Sequence, residues 1–395
     1  MKRLLRISFN QAVFSFMPIL SWFMIGIIID KNLINVFTLT YPIQFIWSTL
    51  RAVFATGANI CKEKDQNENS VLSGITLGII FGAIIFGIIV INIEKYINFM
   101  NMDVNIYKEF AIYSVIQLYI QLVLSYVFEK LYFENKEKLA NKYCFGFNLI
   151  NFSVLIISSI LIKDKMQIVI ITLLSIFLYT AYVTLKEYRK FKLELNILKY
   201  IKYDSTNIFN SILFFIIYLF GLSNALEYGE EYALALNFVA LITDTQWDAF
   251  EAIVTVAKID ISKRKFNYIE HISNSYKLLI ILMFTTIVMF ITLFGLYNIS
   301  ILLALIYLSF EIINFISYPI YSIRTCYLQL EYSAQKTTIN KIFANILRMS
   351  ISFIKSPFCT GIGQISSTIY QMITVNYMFN KKFKVENNGE ILKKT

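Results

Sequence analysis

Long apolar runs alternate with short charged segments along the whole chain. A helix needs about 20 residues to cross the roughly 30 Å of hydrocarbon in a bilayer, and twelve of the runs approach or exceed that length. Each of these runs therefore predicts one transmembrane helix. The predicted spans are residues 8–29, 33–57, 71–93, 107–128, 143–162, 166–185, 205–226, 232–257, 275–296, 299–323, 338–354 and 357–379.

The composition supports a membrane protein. Of the 395 residues, 57% are hydrophobic and 16% are charged, and the mean hydropathy is +0.60. A soluble domain of this length needs more charged surface than the chain offers. No segment between the runs is long enough to form a separate soluble domain. We therefore expect the lipid bilayer to surround most of the chain.

Basic residues fall mainly on one side of the predicted spans. If the N-terminus is cytoplasmic, 28 of the 36 lysines and arginines lie in cytoplasmic segments and six lie on the opposite side. Basic residues concentrate in the cytoplasmic loops of membrane proteins. This rule accounts for the net charge of +10 without a nucleic-acid partner. It predicts a multi-pass protein of the cell membrane with both termini in the cytoplasm.

The two halves of the chain match each other at a nearly constant spacing. Trp47 and Trp247 are 200 residues apart, whereas Asn141 and Asn340, at the ends of two further matching stretches, are 199 apart. Because each half has six spans, both insert the same way up. We predict an all-α membrane protein of two six-helix bundles related by a pseudo-twofold axis along the membrane normal, as in many secondary transporters. The predicted domains are residues 1–185, a basic cytoplasmic linker at 186–204, residues 205–380 and a tail at 381–395.

Acidic residues lie inside the predicted spans of the second half. Asp244, Asp248 and Glu251 are spaced i, i+4, i+7 and so share one face of a helix, and Glu311 and Asn314 share a face of another. An ionisable group within the bilayer is costly and marks a functional site by default. Carboxylates bind hard cations or protons. We predict cation coupling, by H⁺ or Na⁺, at Asp244, Glu311, Asp248 and Asn314, with a structural hydrogen-bonding role as the alternative.

Two intramembrane arginines give the same acids a second interpretation. Arg51 and Arg348 lie at roughly the depth of Glu251. A buried charge needs a partner. Arg51 and Arg348 are therefore predicted to form structural or cavity ion pairs with Asp248 and Glu251, which leaves Asp244 and Glu311 for the coupling cation.

Uncharged polar residues form stripes in several other spans. Gln44, Gln117, Gln121 and Asn237 are the members that we expect to line a substrate cavity. Hydrogen bonding between helices is the simpler explanation for any single one. The sequence has no phosphate-binding loop and no recognisable catalytic motif, and its four cysteines and one histidine do not have the spacing of a metal site. We therefore expect no cofactor, no metal and no enzymatic activity.

Three segments resemble the multidrug and toxin extrusion (MATE) family, which belongs to the multidrug/oligosaccharidyl-lipid/polysaccharide exporter (MOP) superfamily. Residues 33–74 have an apolar helix with a proline, then small residues, then a short polar loop, and residues 232–274 look similar although they have no proline. Residues 129–162 are similar to the family's stretch between the fourth and fifth spans. The resemblance implies a V-shaped antiporter of twelve helices in two bundles. It also implies the export of cationic drugs in exchange for sodium ions or protons.

The sequence departs from this family at two positions. Members commonly have an aspartate within the first span, but residues 22–26 are apolar here and the only nearby acid is Asp30 at the outer end. The seventh span has Asn207 and Asn210 where some members have a glutamate. These departures indicate a divergent member and shift the expected cation site to the second half.

Three functions fit these observations. The leading hypothesis is a cation-coupled antiporter, acting as a monomer, that exports small cationic or amphiphilic compounds by alternating access. The first alternative is a lipid-linked oligosaccharide flippase of the same superfamily, for which basic residues such as Arg51 and Arg348 would hold a pyrophosphate. The second is a non-transporting membrane partner of an export system, which the missing acid in the first span favours.

Overall fold

The computed structural model describes residues 1–28, 36, 42–99, 102–188, 190, 192–294 and 299–393, and within these ranges it contains helices and no β-strand. Asp30 and the first part of the predicted second span lie outside the described residues. The helices of the first half are α1 Lys2–Ile28, α2 Ile43–Arg51, a π-helix Ala52–Gly57, α3 Ala58–Asp65, α4 Asn69–Ile91, α5 Ile93–Phe99, α6 Val104–Phe133, α7 Glu137–Leu161 and α8 Lys165–Glu187. The helices of the second half are α9 Ile197–Tyr228, α10 Glu230–Ser262, α11 Tyr268–Phe294, α12 Ile301–Glu331, α13 Ala334–Ser352 and α14 Cys359–Lys393.

The chain folds into two compact units. The first unit is Phe9–Asp204, and the second is Ser205–Thr395 together with Met1–Ser8. The boundary falls at a kink in α9, where Asp204 leaves the helical region with φ −130° and ψ 23°. Arg3 joins the second unit through an ion pair with Asp260, at 3.0 Å between Nη1 and Oδ1. The proposed limits of the linker and the tail stay predictions.

The helix ends show why the turn between the spans at 143–162 and 166–185 is so tight. The spans at 143–162 and 166–185 correspond to α7 and α8, which are separated by only three residues. The carboxylate of Asp164 accepts hydrogen bonds from the backbone N–H groups of Met166, at 2.8 Å, and Gln167, at 3.2 Å. An aspartate at this position satisfies N–H groups that have no partner within the helix. The short polar interruption therefore both ends one span and starts the next.

Apolar side chains cover the outside of the helices, and polar as well as apolar side chains are buried inside. In α4, Ile84, Ile88 and Ile91 are among the most exposed residues. Six helices in the described part of the chain are long and apolar enough to cross a membrane. They are Asn69–Ile91, Val104–Phe133, Glu137–Leu161, Lys165–Glu187, Tyr268–Thr292 and Ile301–Glu331. A soluble protein rarely exposes so many large apolar side chains, and such a surface suits contact with lipid.

The predicted linker, residues 186–204, packs against the helices of the first unit that precede it. The hydroxyl of Ser73 donates to the backbone oxygen of Glu194 at 2.6 Å and accepts from its N–H at 2.9 Å. The hydroxyl of Tyr203 donates to Asp65 at 2.6 Å. The backbone of Tyr200 lies directly against Gly57, the last residue of the π-helix. A side chain at position 57 would overlap the backbone oxygen of Tyr200, so glycine is required for this approach.

Gly57→Ala is expected to lower the free energy of unfolding by about 1–3 kcal/mol, because the added methyl group forces the backbone of the linker away. Gly87 is the matched control, since a Cβ there has no heavy atom within 4 Å. Gly87→Ala should be neutral or stabilising by roughly 0.5–1 kcal/mol, because alanine favours a helix. Titration with a denaturing detergent measures both variants. Equal effects of the two substitutions would contradict the close approach.

Candidate functional site

Three helices of the second unit turn polar faces toward one another. On α12, Glu311, Asn314, Tyr318 and Tyr321 follow the i, i+3, i+7, i+10 spacing of one helical face. Equivalent stripes occur on the two helices that pack against it. Their members are Lys341, Asn345 and Arg348 on α13, and Gln364, Thr368 and Gln371 on α14. The bundle therefore has a polar interior that the apolar outer surface does not show.

Glu311 is held at one carboxylate oxygen. Its Oε2 accepts a hydrogen bond from the indole N–H of Trp247 at 2.8 Å and another from the side-chain amide of Gln364 at 3.1 Å. The amide oxygen of Gln364 in turn accepts from Arg348 at 3.2 Å. The other oxygen, Oε1, has no hydrogen-bond partner among the described residues. Two neutral donors thus fix the carboxylate and leave Oε1 for a proton, a cation or a substrate.

Aromatic packing fixes the indole that donates to Glu311. The ring centre of Trp247 lies 4.6 Å from that of Phe315, 5.2 Å from that of Tyr318 and 6.0 Å from that of Phe250. Rings at these separations stabilise one another. The rotamer of Trp247 is therefore set by its neighbours and not by Glu311 alone.

A second layer of polar contacts continues along the same helices. The hydroxyl of Thr368 donates to Asn314 at 2.6 Å. The ammonium group of Lys341 donates to Gln371 at 2.8 Å and lies 5.6 Å from the ring centre of Tyr321. Lys341 lies at the start of the predicted span 338–354 and is one of the 28 basic residues counted as cytoplasmic. The stripe that it forms with Asn345 and Arg348 is the signal that places it in the interior.

The predicted acids of α10 lie close to this network along the helix. Asp244 and Asp248 are half-buried, and Glu251 is exposed. Asp244 is three residues before Trp247, so the two side chains are neighbours on one face of the helix. The side chain of Asn237 lies outside the described residues. The structure therefore brings Glu311, Trp247, Gln364 and Arg348 together, and sets Asp244 one turn away from Trp247.

In the first unit, Arg51 forms a buried ion pair with a residue that the sequence analysis missed. Its Nη2 and Nε donate to the same oxygen of Glu129, at 2.7 Å and 3.1 Å. The guanidinium carbon lies 5.5 Å from the ring centre of Trp47. Polar residues recur every four positions along α6, at Gln117, Gln121 and Ser125, and Glu129 is the next residue in this series. This spacing is the feature of the sequence that could have identified Glu129 as a residue of the helix interior.

The other predicted cavity residues of the first unit differ in burial. Gln117 and Gln121 are 2% and 4% exposed on α6, and Gln44 is half-buried on α2. Within the described ranges, no group of three or more histidine, cysteine, aspartate or glutamate side chains could hold a metal ion. The network of the second unit contains no histidine or cysteine, and its chemistry is that of a carboxylate, amides and two cations.

No protein-family model matches the sequence, and no curated protein matches it in a sequence search. Solved structures do match along nearly the full length. An outward-facing multidrug resistance MATE family transporter of the MOP superfamily has a TM-score of 0.76 at 16% identity, over 97% of this chain and 96% of that one. The chain has the fold of the MATE transporters.

Two further structures support the MATE fold. A MATE protein in complex with MaD3S has a TM-score of 0.72 at 16% identity, over 100% of this chain and 97% of that one. A MOP superfamily transporter from Pyrococcus furiosus has a TM-score of 0.74 at 15% identity, over 96% of both chains, and its binding pocket is described as having reverse polarity, which suggests a different function for that protein. MATE transporters have twelve transmembrane helices in two bundles, so the predicted all-α fold class is confirmed.

Proposed function

We propose that this chain is a divergent MATE-type antiporter. It exports small cationic or amphiphilic compounds from the cytoplasm across the cell membrane by alternating access, coupled to the entry of H⁺ or Na⁺, and it acts as a monomer with both termini in the cytoplasm. The observation that carries this proposal is the carboxylate of Glu311, because two donors hold one oxygen while the other is open to a ligand.

Coupling follows from competition for one carboxylate. A proton or a sodium ion at Oε1 of Glu311 neutralises the charge that would attract a cationic substrate, so the two are not bound together. Arg348 reaches the same carboxylate through Gln364 and lies with its guanidinium carbon 4.9 Å from the ring centre of Phe214. Arg348 therefore stabilises the empty, ionised state. Asp244 and Asp248 add carboxylates on the neighbouring helix, and Asn314 holds the next turn of α12 through Thr368.

The efflux of ethidium from proteoliposomes tests this function. The purified wild type should extrude ethidium when a proton or sodium gradient is imposed, and the gradient that works identifies the coupling ion. Asp244→Asn is expected to reduce driven efflux by roughly tenfold, because one charged interaction is lost. Glu231→Gln is the matched control, since Glu231 is exposed near the start of the same helix. Unchanged efflux in Asp244→Asn would remove Asp244 from the site.

One observation favours the flippase as the second candidate. The polar network contains two cations, Lys341 and Arg348, for one hydrogen-bonded carboxylate, Glu311. Basic side chains are suited to hold phosphate groups. If no cation is extruded under either gradient, and a fluorescent lipid-linked sugar pyrophosphate crosses the bilayer of the same proteoliposomes, the flippase is the correct function.

A further inference from the structure

The ion pair of the first unit leaves one carboxylate oxygen unused. Both hydrogen bonds that Arg51 donates to Glu129 go to Oε1 of the carboxylate. The side chain of Glu129 is 1% exposed, and its Oε2 has no hydrogen-bond partner within the described part of the chain. An arginine normally engages both oxygens of a carboxylate when the geometry allows it. The arrangement here satisfies the charge of Glu129 and leaves a buried acceptor.

Two further buried donors belong to side chains that contact this ion pair or the next turn of α6. Tyr132, one turn beyond Glu129 on α6, donates to the side-chain oxygen of Asn10 at 2.7 Å. The side-chain nitrogen of Asn10 and the indole N–H of Trp47, whose ring lies against Arg51, are buried with no partner among the residues described. One acceptor in the ion pair and two donors on neighbouring side chains are therefore buried without a partner among the described residues. We use the term polar seam for Oε2 of Glu129, the side-chain nitrogen of Asn10, the indole N–H of Trp47 and the side-chain amides of Gln117 and Gln121.

The polar seam continues along α6. Gln121 and Gln117 precede Glu129 by eight and twelve residues, which corresponds to about 12 Å and 18 Å along a helix. Their amide nitrogens are buried, and neither has a partner in the described ranges. A buried polar group that lacks a hydrogen bond costs as much free energy as a lost bond, and such groups in native proteins are met by water or a ligand. The polar seam is therefore suited to hold water or a polar group of a ligand.

We propose that the polar seam binds an uncharged amide or hydroxyl group of the transported molecule. The charges of Arg51 and Glu129 neutralise each other, so a charged group that entered would be buried without compensation. Oε2 of Glu129 requires a donor, whereas Asn10 and Trp47 require an oxygen. Amide and hydroxyl groups offer both. The inference rests on the proposed function and extends its substrate class to amphiphiles with a neutral polar group.

Trp47→Phe removes the indole N–H and keeps an aromatic ring for Arg51, so it tests the site without a change of charge. The purified full-length chain in phosphatidylcholine nanodiscs is titrated calorimetrically with probes that share an octyl chain, and the heats of empty nanodiscs are subtracted. The probes are N-octylacetamide, octan-1-ol, octyltrimethylammonium and octanoate. We expect the first two to bind the wild type, and Trp47→Phe to weaken their binding by about fivefold to tenfold. Binding of the two charged probes should not depend on Trp47.

Gln121→Leu supplies a second variant with a different signature. It removes a buried amide nitrogen that has no partner among the described residues, so it should raise the melting temperature of the ligand-free protein while it weakens binding of N-octylacetamide. Tyr119→Phe is the matched control, because the hydroxyl of Tyr119 already donates to the backbone oxygen of Ile79 at 3.0 Å. This control should leave binding of N-octylacetamide unchanged.

Two results would overturn the site. If neither neutral probe binds the wild type, the polar seam holds water only. If both bind equally well to the wild type, Trp47→Phe and Gln121→Leu, they bind elsewhere. Failure of the proposed export is distinguishable from failure of this site. In that case driven ethidium efflux is absent, but binding of N-octylacetamide still depends on Trp47.

Discussion

Replacing Glu311 by glutamine is expected to reduce ion-driven efflux by at least roughly tenfold while the protein stays folded. Glutamine keeps an oxygen that can accept from Trp247 and Gln364, so the hydrogen bonds at 2.8 Å and 3.1 Å have a substitute. It has no negative charge and no site for a coupling proton. A hydrogen bond to a charged group is worth about 1.5–3 kcal/mol, so the loss of charge alone should reduce driven efflux by roughly tenfold to a hundredfold.

The measurement compares uphill and downhill transport in the same proteoliposomes. Glu311→Gln should lose the response to the imposed gradient and retain exchange of ethidium down its own gradient. Glu331→Gln provides the control, because Glu331 is an exposed acid at the end of the same helix. If Glu311→Gln still couples efflux to the ion gradient, the coupling site lies elsewhere, and the acids of α10 become the next candidates.

The second large effect concerns the stability of the first unit. Glu129→Leu is expected to cost about 3–5 kcal/mol of unfolding free energy, because it leaves the guanidinium group of Arg51 without its carboxylate in the protein interior. The side chains of Arg51 and Glu129 are 15% and 1% exposed, so solvent screens this pair only slightly. The double variant Arg51→Met with Glu129→Leu should recover most of the loss, since it removes both charges.

Unfolding in a denaturing detergent, followed by circular dichroism, measures all three proteins. The exposed ion pair of Glu94 and Lys108 is the matched control, with side chains 54% and 45% exposed. Glu94→Leu should change the unfolding free energy by less than about 1 kcal/mol. A double variant that is no more stable than Glu129→Leu would show that the side chains matter for a reason other than their charge balance.

The architecture was predictable because the bilayer restricts the choices. A chain inside hydrocarbon must satisfy its own backbone hydrogen bonds, so each long apolar run forms a helix. The spans at 143–162 and 166–185 correspond to Glu137–Leu161 and Lys165–Glu187 for this reason. The structure extends the helices beyond the apolar runs into polar residues such as Glu137. Hydropathy identifies the apolar section of a helix but not its polar ends.

The contacts of the candidate site were not predictable in the same way. Glu129 follows the last residue of the predicted span 107–128 and was therefore not among the predicted intramembrane acids. Its partner Arg51 is 78 residues away in sequence, and local periodicity cannot predict a contact over such a distance. Trp247 and Gln364 were likewise not connected with Glu311, because they lie 64 and 53 residues from it. Spacing placed the acids on helical faces, but only the packing of those faces shows which partner each one has.

The π-helix Ala52–Gly57 bears on how the two halves arose. Matching residues are 200 apart at Trp47 and Trp247, before the π-helix, and 199 apart at Asn141 and Asn340, after it. The corresponding residues of the second half, 252–257, lie within α10, which is α-helical throughout Glu230–Ser262. A π-helix closes its hydrogen bonds over one residue more than an α-helix. We infer that after an ancestral duplication the first half gained one residue inside this helix. Alignments of relatives that place the extra residue in the loop after Asp65 would contradict that history.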